Sequence, residues 1–302
     1  MSGQLKTNRE AHIADLLIGA VDLHCHSGPA AMPRILDHRD AMEDADDAGF
    51  AALVYKDHFY LGVAHASILE TLHPARGIRL FSGLALNNAC GGINPHAVDH
   101  AAKIGAKIVW LPTLSAANHI RQAETGAKGF PKTARKMLDA TPLSTLGSDG
   151  RVTDETKLVL DIIAESDMIL AGGHLSVPEL AATFEEARRR GVRKMLVNHP
   201  NYIVNCTDAD IRDLVGLGAY MEHSICLFVS GVAKHNEPAE LVHLIEVAGV
   251  ERTILCSDLG LMGSQRPVAG YREIVGELID ASLSDAAIRT MVGENASRLL
   301  SL

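Results

Sequence analysis

No CxxC pair occurs in this sequence, although it holds five cysteines. Cys25, Cys90, Cys206, Cys226 and Cys256 are scattered and odd in number, which argues against a disulfide framework and for a reducing cytoplasm. Long apolar runs are also missing. Nothing approaches the length of a membrane span, and the opening MSGQLKTNREAHIADLLIG, with Glu10, His12 and Asp15, lacks the apolar core of a signal peptide. The reading is a cytoplasmic chain with no membrane partner. Basic clusters are absent: 28 Lys and Arg stand against 37 Asp and Glu, a formal charge of −9 with no stripe to grip a phosphate backbone, so nucleic acid is not expected as a partner. There is no interdomain linker, internal repeat or low-complexity tract. No GxSxG elbow offers a serine nucleophile.

What the chain does have is apolar residues and histidines. Its 302 residues are 47% hydrophobic, enough for a large core and the usual size of one α/β barrel. Eight short apolar runs begin near Ala20, Ala51, Ile78, Ala106, Asp167, Arg193, Gly218 and Arg252. Each has the length of a buried strand, and near-continuous hydrophobicity suits parallel strands covered by helices. Helical patterns lie between them. Ser176 to Glu179 reads as a capping box, with Gly191 ending that helix. Thr207 to Asp210 opens another before Gly218, and Glu237-Pro238 starts one that runs to Gly249. Gly91-Gly92 and Asn94-Pro95 read as a turn opening a helix near His96, whose N-terminus could take an anion. The rhythm predicts a single (β/α)8 barrel over 1–302. The stretch from Leu114 to Lys157 is too long for one loop and helix. It is expected to be an insertion after strand four that covers the rim and shapes substrate choice, with an SDG turn inside it.

The histidines fall where a barrel does its chemistry. In the run Asp22-Leu23-His24-Cys25-His26, strand alternation turns His24 and His26 to one face and Cys25 to the other. Two neutral imidazoles so placed can bind one cation. Three other runs end in His174, His199 and Asp258. Any one of these reads as a hydrogen-bonded structural residue. Together, at the carboxyl ends of different strands, they point to a metal site. Strand two adds Lys56 and His58 on one face. His58 is a candidate ligand or proton carrier. Lys56, if neutralised by burial beside cations, could carry carbon dioxide as a carbamate ligand; otherwise it is a cation for an anionic substrate group or a partner of Asp57. Glu222 on strand seven is a candidate for the rim or a buried, paired carboxylate. Asn87, Arg121, Tyr202 and Arg266 follow strands and are candidate substrate contacts, or simply loop residues.

The order HxH, His, His, Asp on strands one, five, six and eight resembles the amidohydrolase superfamily. The ending Gly293-Glu294-Asn295-Ala296-Ser297-Arg298-Leu299-Leu300 is similar to that superfamily's closing helix. The resemblance implies His24, His26, His174 and His199 as ligands and Asp258 as ligand and proton acceptor, with catalysis by Asp258 and His199. It implies a divalent metal, Zn²⁺ being the expected ion, singly or as a pair. The chain departs from the pattern at strand four, where KIVWLPT offers no bridging Lys or Glu; either strand two supplies the bridge or one metal suffices. A weaker resemblance, through AALVYKDHF after HCHSG, is to polymerase-and-histidinol-phosphatase (PHP) domains, which usually have seven strands and end in Asp-x-His where this chain has Asp258-Leu259-Gly260. The expected function is hydrolysis of an amide, cyclic amide, lactone or ester bond of a small molecule. The alternatives are a PHP-like phosphoesterase, a metal-dependent lyase or decarboxylase, and a non-catalytic barrel; homo-oligomerisation is left open.

Overall fold

Eight parallel strands, each paired to the next in chain order, form the centre of the molecule: β1 Val21–Cys25, β2 Ala52–Tyr55, β3 Arg79–Ala85, β4 Ile108–Trp110, β5 Ile169–Ala171, β6 Met195–Asn198, β7 Tyr220–Ser224 and β8 Thr253–Cys256. A computed structural model describes residues 2–125 and 132–302. All eight expected runs are strands, and the barrel fold stands as read. Two bonds at the rim close the ring from β8 back to β1: Asp258 N donates to His24 O at 2.8 Å, and His26 N to Leu259 O at 3.0 Å. Among the described residues, no helix is long and apolar enough to cross a membrane.

Alternation sorts the side chains into two cores. Ala52, Val54, Ile108, Trp110, Ile169, Ala171, Leu196, Ile254 and Cys256 pack together inside the barrel. Their neighbours Leu53, Tyr55, Val109, Leu170, Val197, Met221 and Leu255 pack outward under the helices. β1 does not keep this rhythm. Asp22 pairs with Leu53 but Cys25 with Tyr55, so three steps on β1 match two on β2. The extra residue is a β-bulge. Val21 and Leu23 belong to the inner core, yet the bulge lets His24 turn inward as well. Bulges commonly re-aim a side chain beside an active site in this way. Asp22 makes the irregularity tolerable: its Oδ1 accepts from His24 N at 3.1 Å and from Ser257 N at 2.9 Å.

The chain between β4 and β5 carries helix Ala117–Glu124 and helix Asp154–Glu165, with residues 132–153 before the second helix free of helix. Part of the expected insertion, 126–131, lies outside the described residues. The SDG turn forms: Gly147 N donates to Arg151 O at 2.8 Å, and Leu146 bridges Val152. Ala134 N reaches across the rim to Ala31 O at 2.9 Å, so this segment does border the loop after β1. The capping box at Ser176 is not made. Ser176 caps helix Val177–Arg189 in position only, without a side-chain bond. Glu179 instead accepts from Ser144 Oγ at 2.7 Å and Thr145 N at 2.8 Å, tying the insertion to the helix. Thr207 does form a capping box, and Asn94 accepts from His96 N and Ala97 N.

Candidate metal centre

Three groups from the two ends of the chain meet at the carboxyl rim. His24 Nε2 lies 3.2 Å, and His26 Nε2 3.1 Å, from Asp258 Oδ1. Among the described residues, this trio has ligand atoms within 4.8 Å of one another. The outer nitrogens of both rings are committed elsewhere. His24 Nδ1 faces Glu222 Oε1 at 2.6 Å, and His26 Nδ1 faces Lys56 O at 2.9 Å. Both of those oxygens accept, so each ring carries its proton on Nδ1 and turns an Nε2 lone pair toward Asp258. Two lone pairs and a carboxylate then converge, and Lys56 Nζ, 2.9 Å from His24 Nε2, is a donor that reaches them. Such a set requires positive charge, and the ring–carboxylate and ring–carbonyl pairs behind it are the usual supports of metal-binding histidines. The donors present therefore fit a divalent cation.

Electrostatics agree. Burial lowers His24 to about 3, and burial also carries His26 well below the ordinary imidazole value, so both rings are neutral ligands at neutral pH. Glu222 is fully buried and pushed up to about 7 by desolvation, while Asn198 Nδ2 donates to its Oε2 at 2.9 Å. Arg34 Nη2 lies 3.2 Å from His26 Nδ1, and Lys56 reaches His24. The Lys56 Nζ is 2.9 Å from His24 Nε2 and 5.6 Å from the Trp110 ring, and burial lowers its pKa. Two backbone positions carry the cost of this convergence. His199 at φ +30° and Asp258 at φ +46° lie in the left-handed region, where side chains are uncommon and strain gathers at functional sites. Gly260 makes room: at φ +130°, an added Cβ would lie 1.8 Å from His26 O.

The remaining predicted residues divide. His58, His174, His199 and Tyr202 line the same cavity as His26, Lys56 and Asp258, although His58, His174 and His199 do not join the close trio. His199 Nδ1 donates to Tyr202 O at 3.1 Å, leaving Nε2 as the lone pair. His174 Nδ1 pairs with His119 Nδ1 at 2.8 Å. His58 differs. Thr113 Oγ1 accepts from Asn87 Nδ2 at 2.6 Å and lies 2.9 Å from His58 Nδ1, the acceptor at hand for the buried hydroxyl's own proton. When the hydroxyl donates in this way, His58 carries its hydrogen on Nε2 as a donor. Asn87 is a staple: its Oδ1 accepts from Thr113 N and Ser115 N and its Nδ2 donates to His58 O. Arg266 lies outside the cavity, caps helix Pro267–Asp280 and pairs with Asp44 at 3.0 Å and Asp40 at 3.5 Å. Arg121 points to Asn118 Oδ1 at 3.3 Å.

Sequence reasoning missed Arg34, His119, Asp22 and Asn198. His119 lies on a helix of the insertion and Arg34 in a loop, so neither carries a strand-end signal. Asn198 directly precedes His199, and Asp22 opens the HxH run; both were in view without a partner to give them a task.

Comparison with known proteins agrees on the fold. No curated protein matches the sequence. An amidohydrolase of Pseudomonas aeruginosa is similar in structure with a TM-score of 0.63 and 11% identity, over 97% of this chain and 98% of that one. A probable dipeptidase of the same organism gives the same values, 0.63, 11%, 97% and 98%. A triple mutant of an organophosphorus hydrolase from Deinococcus radiodurans gives 0.56 and 13%, over 95% and 94%. At such identities the likeness shows the eight-stranded barrel fold and no more. The sequence match runs from the residue before Ala20 to Glu222 and takes in every candidate ligand except Asp258. The chain belongs to the family of unknown function DUF6282, whose model matches residues 19–222.

Proposed function

We propose that this chain is a metal-dependent hydrolase that uses an activated water to cleave an amide, cyclic amide, lactone or ester bond of a small molecule. The observation that carries the reading is the convergence of His24 Nε2, His26 Nε2 and Asp258 Oδ1 with both outer ring nitrogens already engaged. His174 and His199 are the further ligands, entering from β5 and β6. A divalent cation held by this set, with Zn²⁺ the expected ion, supplies an acidified water and a Lewis acid for the scissile bond.

The chain's own groups divide the proton work. Asp258 takes the proton from the attacking water and returns it to the leaving group. Burial alone would raise its carboxyl, but the opposing charge of Lys56 is among the causes that hold it well below the usual range, so it starts as a base. His58, with its hydrogen on Nε2, donates to the oxygen on which negative charge grows. Glu222 and Asn198 keep His24 in one tautomer. Lys56 has two roles open to it. As a neutral amine it can add to carbon dioxide: the nitrogen forms the new N–C bond as one C=O π bond opens onto oxygen, one proton leaves the nitrogen to solvent, and the anionic carbamate can help hold a second ion. As an ammonium it holds an anionic substrate group.

The test is a substrate panel with metal-loaded protein: amides, cyclic amides, lactones, phosphoesters and carboxylic acids. Hydrolysis of a carbonyl member that stops on chelation and returns with metal is the expected result. Turnover confined to phosphoesters would instead favour a PHP-like phosphoesterase. Loss of carbon dioxide from a carboxylic acid would favour a lyase or decarboxylase. Protein without metal or turnover would be a non-catalytic barrel.

A further inference from the structure

Arg34 is the charged group of the cavity that the reaction above leaves without a task. It lies in the loop between β1 and helix His38–Asp47, and that loop is pinned to the other end of the chain. Arg34 bridges Leu261, and Ile35 N donates to Gly260 O at 2.9 Å. The guanidinium is thereby fixed beside the loop that carries Asp258, and it lines the same cavity as His26, Lys56 and His199.

Its hydrogen-bonding capacity is almost unspent. The Nε is buried without a partner. Nη2 approaches His26 Nδ1 at 3.2 Å and Met32 Sδ at 4.0 Å. The first contact competes with Lys56 O for one ring nitrogen: Nδ1 accepts from Arg34 only in the tautomer that gives up Lys56 O, and it carries a proton in the tautomer whose Nε2 is free to bind a metal. The second is a weak one. Asp57 is the acid whose field Arg34 feels most, but the two form no ion pair; Asp57 Oδ1 accepts from Phe59 N and its Oδ2 is buried without a partner. A half-buried guanidinium with an open fork is matched by a planar anion that can accept two parallel bonds. The rest of the wall sets the size and polarity of what carries that anion: Leu114, Ile203, Leu227 and Leu261 are apolar.

We propose that Arg34 binds a carboxylate of the substrate, so that the substrate class is a small amide, lactone or ester bearing a free carboxylate and a compact apolar group. This rests on the cavity being the reaction site proposed above. A carboxylate fits better than a phosphate dianion, because one guanidinium faces it while Asp57 and Asp258 lie close by.

Binding, read without turnover, tests it. Zinc-loaded wild-type protein, Arg34→Gln and Arg34→Lys are titrated calorimetrically with butyrate, butyramide and phenyl phosphate, and their zinc content is measured. Wild type should bind butyrate about tenfold or more tighter than butyramide, the worth of a charge-assisted pair. Arg34→Gln should erase that preference at unchanged zinc content, and Arg34→Lys should keep only part of it. An unchanged butyrate affinity in Arg34→Gln, or in Arg34→Lys if the glutamine variant does not fold, would overturn the proposal. So would an Arg34-dependent preference for phenyl phosphate over butyrate. An Arg34-dependent carboxylate preference in a protein that hydrolyses nothing on the panel would sink the hydrolase reading and leave this one standing.

Discussion

The two sides of the rim are wired differently. On the side of β1, β7 and β8, each histidine leans on a full acceptor, Glu222 for His24 and a carbonyl for His26, and both point at a carboxylate. On the side of β2, β4 and β5, His58 leans on the Thr113 hydroxyl and His174 on another imidazole, His119. The bonds described for these two pairs run to a hydroxyl and to an imidazole, not to a carboxylate. The first arrangement concentrates lone pairs and negative charge and therefore calls for a cation. The second is nearly neutral and can present a donor or complete a coordination shell, but has little to hold an ion by itself. Histidine count alone would not separate the two; the partner behind each ring does.

Breaking the charged side should have the largest effect. Asp258→Asn keeps the shape of the side chain and removes its basicity, and is expected to lower kcat by roughly 10²–10⁴-fold in a steady-state assay. Glu222→Gln weakens the support behind His24 without touching a ligand. Metal affinity should fall by about 10–100-fold, measured by competition with a chromophoric chelator. Thr113→Val is the matching change on the neutral side. It should leave metal affinity within about threefold of wild type and lower kcat through His58. Equal metal loss in the two variants would erase the distinction between the sides.

Lys56 sits where the sides meet, and its replacement sharpens the comparison. If Lys56 carries a carbamate, Lys56→Ala should lose one of two ions, and a short carboxylic acid in the buffer should restore part of the metal. If it is a substrate cation, the variant should keep its metal and show a raised KM. Full metal occupancy in the variant, with no extra density on the wild-type lysine in a high-resolution map, would reject the carbamate.

A smaller effect concerns acid stability of the metal-free protein. Burial depresses His24 to about 3 and His119 to about 4, one ring from each side, against an ordinary value of 6.5. Depressed imidazoles stabilise the fold fully above the unfolded value, because unfolding there gains no protons. That contribution is lost as the pH falls from about 6.5 toward the folded values, where the unfolded chain binds more protons. Asp22, raised by burial to about 6, acts in the other sense: its contribution is present below its unfolded value of 3.8 and lost as the pH rises through about 6. The rings dominate, at about 1–3 kcal/mol each. Urea midpoints should therefore fall between pH 6.5 and pH 4, and an unchanged midpoint across that window would contradict the neutral-ring assignment.

Much of this was legible in the sequence, for a physical reason. A strand buried on both faces must be apolar throughout, so the eight runs could be found from composition alone. His24, His26 and Asp258 announce themselves by ending such runs. The bulge in β1 could not be read, because register belongs to two strands at once; without it, the inner position of Leu23 would imply an outward His24. Arg34 was hidden because its place is fixed by contacts with Gly260 and Leu261, far away in sequence. Arg266 misled by its nearness to Asp258; as the cap of a helix it turns to Asp40 and Asp44 instead. Glu179 looked like half of a capping box, but the insertion offered it three donors from Ser144 and Thr145.

The measurement that bears most directly on the central claim is the metal content of the purified protein, by elemental analysis, beside that of a His24→Ala/His26→Ala variant shown to be folded by circular dichroism. The wild type should carry about one or two divalent transition-metal ions per chain, chiefly zinc, and the variant should lose most of them. Wild-type protein free of metal even after reconstitution, or a folded variant that keeps its full complement, would contradict the site.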